Sequence, residues 1–148
     1  MPGSESKQDP REQDVHFSEQ VLRGAIAFCA SPAFRAPVLA FTDCDCRPDP
    51  GWLAAIAAHF ADDAAAPAMA GDVRIAFENP SRPTGLEAYE AIFGYRQYLY
   101  VARDGYGATC NLAVRAGTFA RVGPFAGLEV AEDRDWGQRA TFAGYRIG

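Results

Sequence analysis

The sequence predicts a single α/β domain, and three observations predict it. The chain has 148 residues, one domain's worth, with an ordinary apolar share of 49%. Short strand-like runs, Val38 to Phe41 and the alternating Val73, Ile75 and Phe77, punctuate helical stretches. The resulting order is helix, strand, helix, strand, helix, strand, helix, strand, with no internal repeat.

Residues 1–14 have no apolar periodicity and read as a mobile polar tail. A helix is expected from Val15, with Val21, Leu22, Ala25, Ile26 and Cys29 on one face, stopped by Ser31-Pro32. His16 at its start reads as solvated. Val38 to Phe41 is an apolar run of the kind that makes a buried strand. It ends in Asp43-Cys44-Asp45. Asp49-Pro50 then reads as a helix N-cap with proline at the first helical position. The helix runs from Pro50 to Asp62, with Trp52, Leu53, Ile56 and Phe60 as its apolar stripe and His59 partly exposed beside it.

Ala64 to Pro67 is a linker, Ala68 to Phe77 a strand, and Glu78 to Gly85 a proline-bearing loop. Leu86 to Ala102 reads as one long helix rich in aromatics. Two readings stand for it: core packing with a snorkelling rim, or a wall of tyrosines that stacks on sugars. Arg103 to Thr109 is a loop of small residues, Asn111 to Arg115 a short strand, and Ala116 to Val122 a short helix. After the turn cluster Gly123 to Gly127, the stretch Glu129 to Arg139 leads into a helix that buries Trp136, Ala140 and Ala143. Gly144 to Ile147 turns into a last strand.

Charge and composition exclude several classes. The net charge is −5 and no basic block occurs, so nucleic acid is not an expected partner. Lys7 is the only lysine among 14 cationic residues, which removes lysine chemistry from the folded region. No apolar run reaches the ~18 residues of a membrane span, and the polar N-terminus is no signal peptide. Cys29, Cys44, Cys46 and Cys110 contain no Cys-x-x-Cys, so a structural zinc site is not expected. Reduced thiols in a reducing, cytoplasmic compartment are the simpler reading.

The chemistry concentrates in the acids. Period two along an extended chain places Asp43 and Asp45 on the same side. Two adjacent carboxylates repel; a hard divalent cation relieves that repulsion, and a solvated turn tolerates the pair without one, so both readings stand for Asp43 and Asp45 alone. Glu132 and Asp133 sit where a helix begins. Acids there complement the helix dipole without any further role, so decoration and chemistry both remain open for them.

Three segments together resemble family 2 glycosyltransferases, which have the GT-A fold. The first is Asp43-Cys44-Asp45, followed by Arg47-Pro48-Asp49-Pro50-Gly51-Trp52-Leu53. The second runs from Gly107 to Arg115, with Phe119 and Val122-Gly123-Pro124-Phe125 after it. The third is Glu132-Asp133-Arg134-Asp135, with Arg139 and Gly144-Tyr145-Arg146-Ile147 beyond. The resemblance covers residues 15–148 and implies a Rossmann-like nucleotide-sugar transferase core. It implies that Asp45 holds Mn²⁺ or Mg²⁺ against a donor diphosphate, with Asp43 as its partner. It implies that Asp133 is the general base, with Glu132 beside it, and that Gly107, Ala108, Thr109 and Asn111 lie under the acceptor. The implied partners are a nucleotide-sugar donor and a saccharide, lipid-linked or protein acceptor. The implied transfer inverts the anomeric centre.

The family's opening βαβ unit, of ~30 residues or more, is not visible before the acidic strand. The chain therefore reads as a partial domain. Membrane association, at the cytoplasmic face, would rest on a segment outside it. A truncated, non-catalytic GT-A domain is the alternative reading. A haloacid-dehalogenase-type phosphatase also fits Asp-x-Asp after a strand, but it wants a downstream lysine that this chain lacks. The expected architecture is a mostly parallel sheet flanked by helices, with the acidic pair at the carboxyl end of its strand.

Overall fold

The computed structural model describes residues 36–127 and 131–148. The tail, the helix expected from Val15, His16 and Cys29 all lie outside those residues. Among the described residues the architecture is mixed α/β, built on a three-stranded sheet.

The chain enters β1 (Val38–Phe41), turns, and forms α1 (Trp52–Asp62) and β2 (Ala68–Ala70). It then makes α2 (Gly85–Phe93), the short α3 (Gln97–Leu99), and a wide π-type turn at Tyr100–Asp104. A 3₁₀ turn at Thr109–Asn111 leads into β3 (Leu112–Arg115), α4 (Ala116–Val122) and α5 (Glu132–Phe142). The strand order is β1-β3-β2, and β3 runs antiparallel to both neighbours. The mostly parallel sheet expected from the sequence is therefore not what forms. β1 and β2 do run the same way, joined by the α1 crossover, but β3 is inserted between them in the opposite direction. Phe41 and Ala70 both lie opposite Leu112, so the carboxyl ends of β1 and β2 share one sheet edge with the start of β3.

Each face of the sheet has its own core. Ala113 meets Ile56, Phe60 and Ala66 of the α1 layer, with Val38, Trp52 and Met69 packed against them. On the other face an aromatic cluster forms from Phe41, Phe119, Phe125 and Trp136, with ring centroids 5.2–5.9 Å apart. Such tilted and edge-on contacts suit the ring quadrupoles. Two arginines close helix ends. Arg115 donates to the carbonyls of Phe60, Asp63 and Ala66 at the end of α1 and lies over the Phe60 ring. Arg139 donates to Val122 and Pro124 at the end of α4 and pairs with Asp135. Cations there satisfy orphan carbonyls and complement the dipole.

Several boundaries differ from the sequence expectation, each for a physical reason. α1 begins at Trp52 rather than Pro50, yet Asp49 still accepts the Gly51 N–H at 2.8 Å. Its capping bond serves the turn ahead of the helix. β2 ends at Ala70, although the alternation continues: Val73, Ile75 and Phe77 are half-buried and the residues between them exposed. Alternation reports which side of an extended chain is covered, not whether a strand pairs. The final strand reduces to one parallel bridge, Ile147 beside Ala68.

The long helix expected from Leu86 to Ala102 breaks at Gly94, whose ψ of −147° is not helical. Core packing is also not its role. Leu86, Tyr89, Ile92 and Phe93 are all exposed, and α2 buries no residue. Glu87 sets that orientation. Its carboxylate accepts from the N–H groups of Glu78 and Thr84 at 2.7 and 2.6 Å, while Thr84 Oγ1 accepts the Glu87 N–H. This capping box fixes the start of α2 and ties it to the preceding loop.

Candidate functional site

The turn after β1 follows from its sequence. Asp43 and Asp45 lie two and four residues beyond the carboxyl end of the strand. The Cys46 N–H donates to the Asp43 carbonyl at 3.2 Å, which folds the turn back on itself. The carboxylates of Asp43 and Asp45 and the thiol of Cys46 then lie with their donor atoms all within 4.8 Å of one another. Two carboxylates and a thiol at that spacing fit a divalent cation, the donor set such ions take from proteins.

Electrostatics place Asp133 near this turn. The Asp43 carboxyl is held above its usual range by partial burial first, then by Asp45, then by Asp133. Burial pushes the Cys110 thiol up to about 12, with Asp43 next and Asp133 a smaller contributor. Cys110 thus lies within reach of both acids. Asp133 sits in the first turn of α5 together with Glu132 and Asp135, and both Glu132 and Asp133 are half-buried. Ala131, just before them, has φ of 52°, a left-handed conformation that costs a non-glycine residue roughly 1–3 kcal/mol.

The Gly107 to Asn111 loop is fixed from within. Gly107 and Ala108 are buried. A Cβ on Gly107 would stand 2.5 Å from the Ala70 Cβ, so only glycine permits this approach to β2. The buried Gln97 carboxamide accepts the Ala108 N–H at 2.8 Å and donates to the Ala108 carbonyl. Asn111 accepts from Trp52 Nε1 and donates to the Asp72 carbonyl, both at 2.8 Å. Its side chain thus ties α1 to the segment after β2. Thr109 is half-buried.

A cavity of about 700 Å³ opens beside the acidic turn. Asp45, Arg47, Trp52, Arg74, Tyr95 and Asn111 are among its lining residues. Of the residues picked out by sequence, the cavity brings together Asp45 and Asn111. Asp43 adjoins it through the turn, while Asp133 is not among its lining residues. Tyr95 belongs to the tyrosine wall that the sequence offered, whereas Arg74 carried no sequence signal of a site. The one clue was position, because Gly71 to Ala76 follows a strand that ends at the same edge as β1.

No described protein family matches the chain, and no solved structure matches it. A curated relative is Glycosyltransferase AglE of Haloferax volcanii, 31% identical over 115 residues. The match covers 74% of this chain and 36% of that protein, so the chain spans about a third of its relative's length. No helix of the described residues is long and apolar enough to cross a membrane. The chain is related to a glycosyltransferase.

Proposed function

We propose that this chain carries part of a family 2-type, GT-A glycosyltransferase domain, which moves a sugar from a nucleotide-sugar donor to an acceptor hydroxyl with inversion. The observation that carries this reading is the grouping of Asp43, Asp45 and Cys46 beside the cavity, with the Asp133 charge acting on Asp43. The glycosyl-transfer part is supported by the relationship to the glycosyltransferase AglE.

Roles then follow from the chemistry. Asp45 and Asp43 would hold Mn²⁺ or Mg²⁺, which neutralises charge developing on a diphosphate leaving group. Asp133 accepts the proton of the acceptor hydroxyl as it attacks, with Glu132 as the next candidate. Attack from the side opposite the leaving group inverts the anomeric centre. Tyr95 and Trp52 offer aromatic surface to a sugar in the cavity, beside Cys110 and Asn111 from the end of the 107–111 loop. The acceptor is a saccharide, free, lipid-linked or on a protein. A cytoplasmic location belongs to the same proposal.

The test uses the native protein that contains this chain and a panel of nucleotide sugars. Asp133→Asn is expected to lower turnover about 10²- to 10⁴-fold with near-normal donor binding. Asp45→Ala is expected to abolish metal-dependent donor binding, read by calorimetry. If Asp133 serves only the helix dipole, its loss costs roughly 0.3–1 kcal/mol of stability and turnover is untouched. That result, or equal donor affinity in Asp45→Ala, refutes the assignment.

A further inference from the structure

The acidic turn holds a donor that an oxygen-only site lacks. The Cys46 N–H to Asp43 carbonyl bond brings Cys46 back beside the acids. Its sulfur lies within 4.8 Å of a carboxylate oxygen from each of Asp43 and Asp45. Cys44 sits between the two acids in sequence yet is no part of that grouping, and its side chain is exposed. Cys46 and Asp45 also line the 700 Å³ cavity, so an ion has open access to both.

We propose that Cys46 is a third protein ligand for the divalent cation assigned to Asp43 and Asp45, and that its sulfur makes the site prefer thiophilic ions such as Zn²⁺ and Co²⁺ over Mg²⁺. The inference rests on the metal-binding part of the reading above and not on glycosyl transfer. Bonds of about 2.0 Å to oxygen and 2.3 Å to sulfur put tetrahedral donors roughly 3.5 Å apart. Small side-chain rotations inside the observed 4.8 Å limit reach that spacing. Carboxylate and water ligands suit Mg²⁺, while thiolate ligands favour softer ions. Binding forms a metal–sulfur bond and releases the thiol proton to solvent.

The experiment is a Co²⁺ titration of the full chain, followed by absorbance, with Zn²⁺ and Mg²⁺ as competitors. The wild type and Cys44→Ser are expected to show the near-ultraviolet thiolate-to-cobalt band. Cys46→Ser is expected to lose the band while still binding Co²⁺ through the carboxylates. Its preference for Zn²⁺ over Mg²⁺ should fall about tenfold or more, the scale on which even an outer partner acts. Cys46 is only half-buried, and serine is close to isosteric, so circular dichroism should show an unchanged fold. Bound Co²⁺ with no thiolate band, a band that survives Cys46→Ser, or no Co²⁺ binding at all would each overturn the proposal. A thiolate band in a protein without transfer activity would refute the transfer reading and leave this ligand set standing. Transfer supported by Mg²⁺ with no band would do the reverse.

Discussion

Gly137→Ala tests how α5 is seated. A Cβ at Gly137 would stand 2.2 Å from the Tyr106 Cβ and 2.6 Å from its Cα. Ordinary carbon contacts are roughly 3.5–4.0 Å, so the two segments must separate by more than about 1 Å. Neither atom can rotate away, because both are fixed to the main chain. An approach this close to atoms fixed to the main chain puts the overpacking cost in the upper part of the usual range, roughly 2–3 kcal/mol. Alanine's helix propensity returns about 1 kcal/mol. The net expectation is a loss of about 1–2 kcal/mol. Gly117 in α4 supplies the control, since its Cβ would meet nothing within 4 Å. There alanine should stabilise by about 0.5–1 kcal/mol.

The assay is urea unfolding of both variants. With a slope near 1.5 kcal/mol/M, the two midpoints should differ by about 1–2 M, in opposite directions from wild type. Function offers a second readout. Asp133 lies one turn before Gly137 on the same face of α5, so moving α5 away from Tyr106 also moves the candidate base. Tyr106 already feels Asp133, which helps hold its phenol above the usual range after burial and Tyr100. A Gly137→Ala midpoint at or above wild type would refute the close approach and the seating inferred from it.

Three further outcomes are expected. Glu87 is held below its usual carboxylate range by the Thr84 and Glu78 backbone donors, so its contribution to α2 is present above about pH 4.5 and lost as pH falls through the lower folded value. Hydrogen exchange of α2 should rise there, and Glu87→Gln should remove the pH dependence. Cys44 is exposed while Cys110 is buried with its thiol pushed up to about 12, so iodoacetamide on the native chain should alkylate Cys44 and spare Cys110 until urea is added, as read by mass spectrometry. Asn111→Ala removes the side-chain bonds to Trp52 and Asp72 and should lower stability by about 1–3 kcal/mol in the same urea assay.

Much of the local structure was legible because it is local. Val38 to Phe41 reads as a strand from its own residues, and it forms one. The helix of Trp52, Leu53, Ile56 and Phe60 is set by its period, but its start moved to Trp52 and Leu53 is exposed rather than part of the buried stripe. Misread features depended on partners distant in sequence. Tyr89, Phe93 and Leu86 share a helical face in any reading, but which way that face points was decided by Glu87 bonding back to Glu78. The signature Thr84-x-x-Glu87 was present in the sequence and marks the helix start. Gly94 was likewise visible, yet a lone glycine in a helical pattern is tolerated too often to predict a break. Arg115 and Arg139 stood inside the segments that resemble a transferase, and the structure shows both closing helix ends.

The direction of β3 had to be seen, and the candidate site depends on it. In a mostly parallel sheet, the residues before β3 would lie at the opposite edge from Asp43 and Asp45. A four-residue strand spans about 13 Å, so the 107–111 loop would sit that far from the acids. Running β3 antiparallel places Leu112 opposite Phe41 and Ala70 instead. Asn111 then reaches Trp52 and Asp72, and Cys110 comes within range of Asp43. At the far edge, Arg115 arrives beside Val38 and closes the end of α1. The inverted central strand is what brings the end of the 107–111 loop to the edge where β1 and β2 finish.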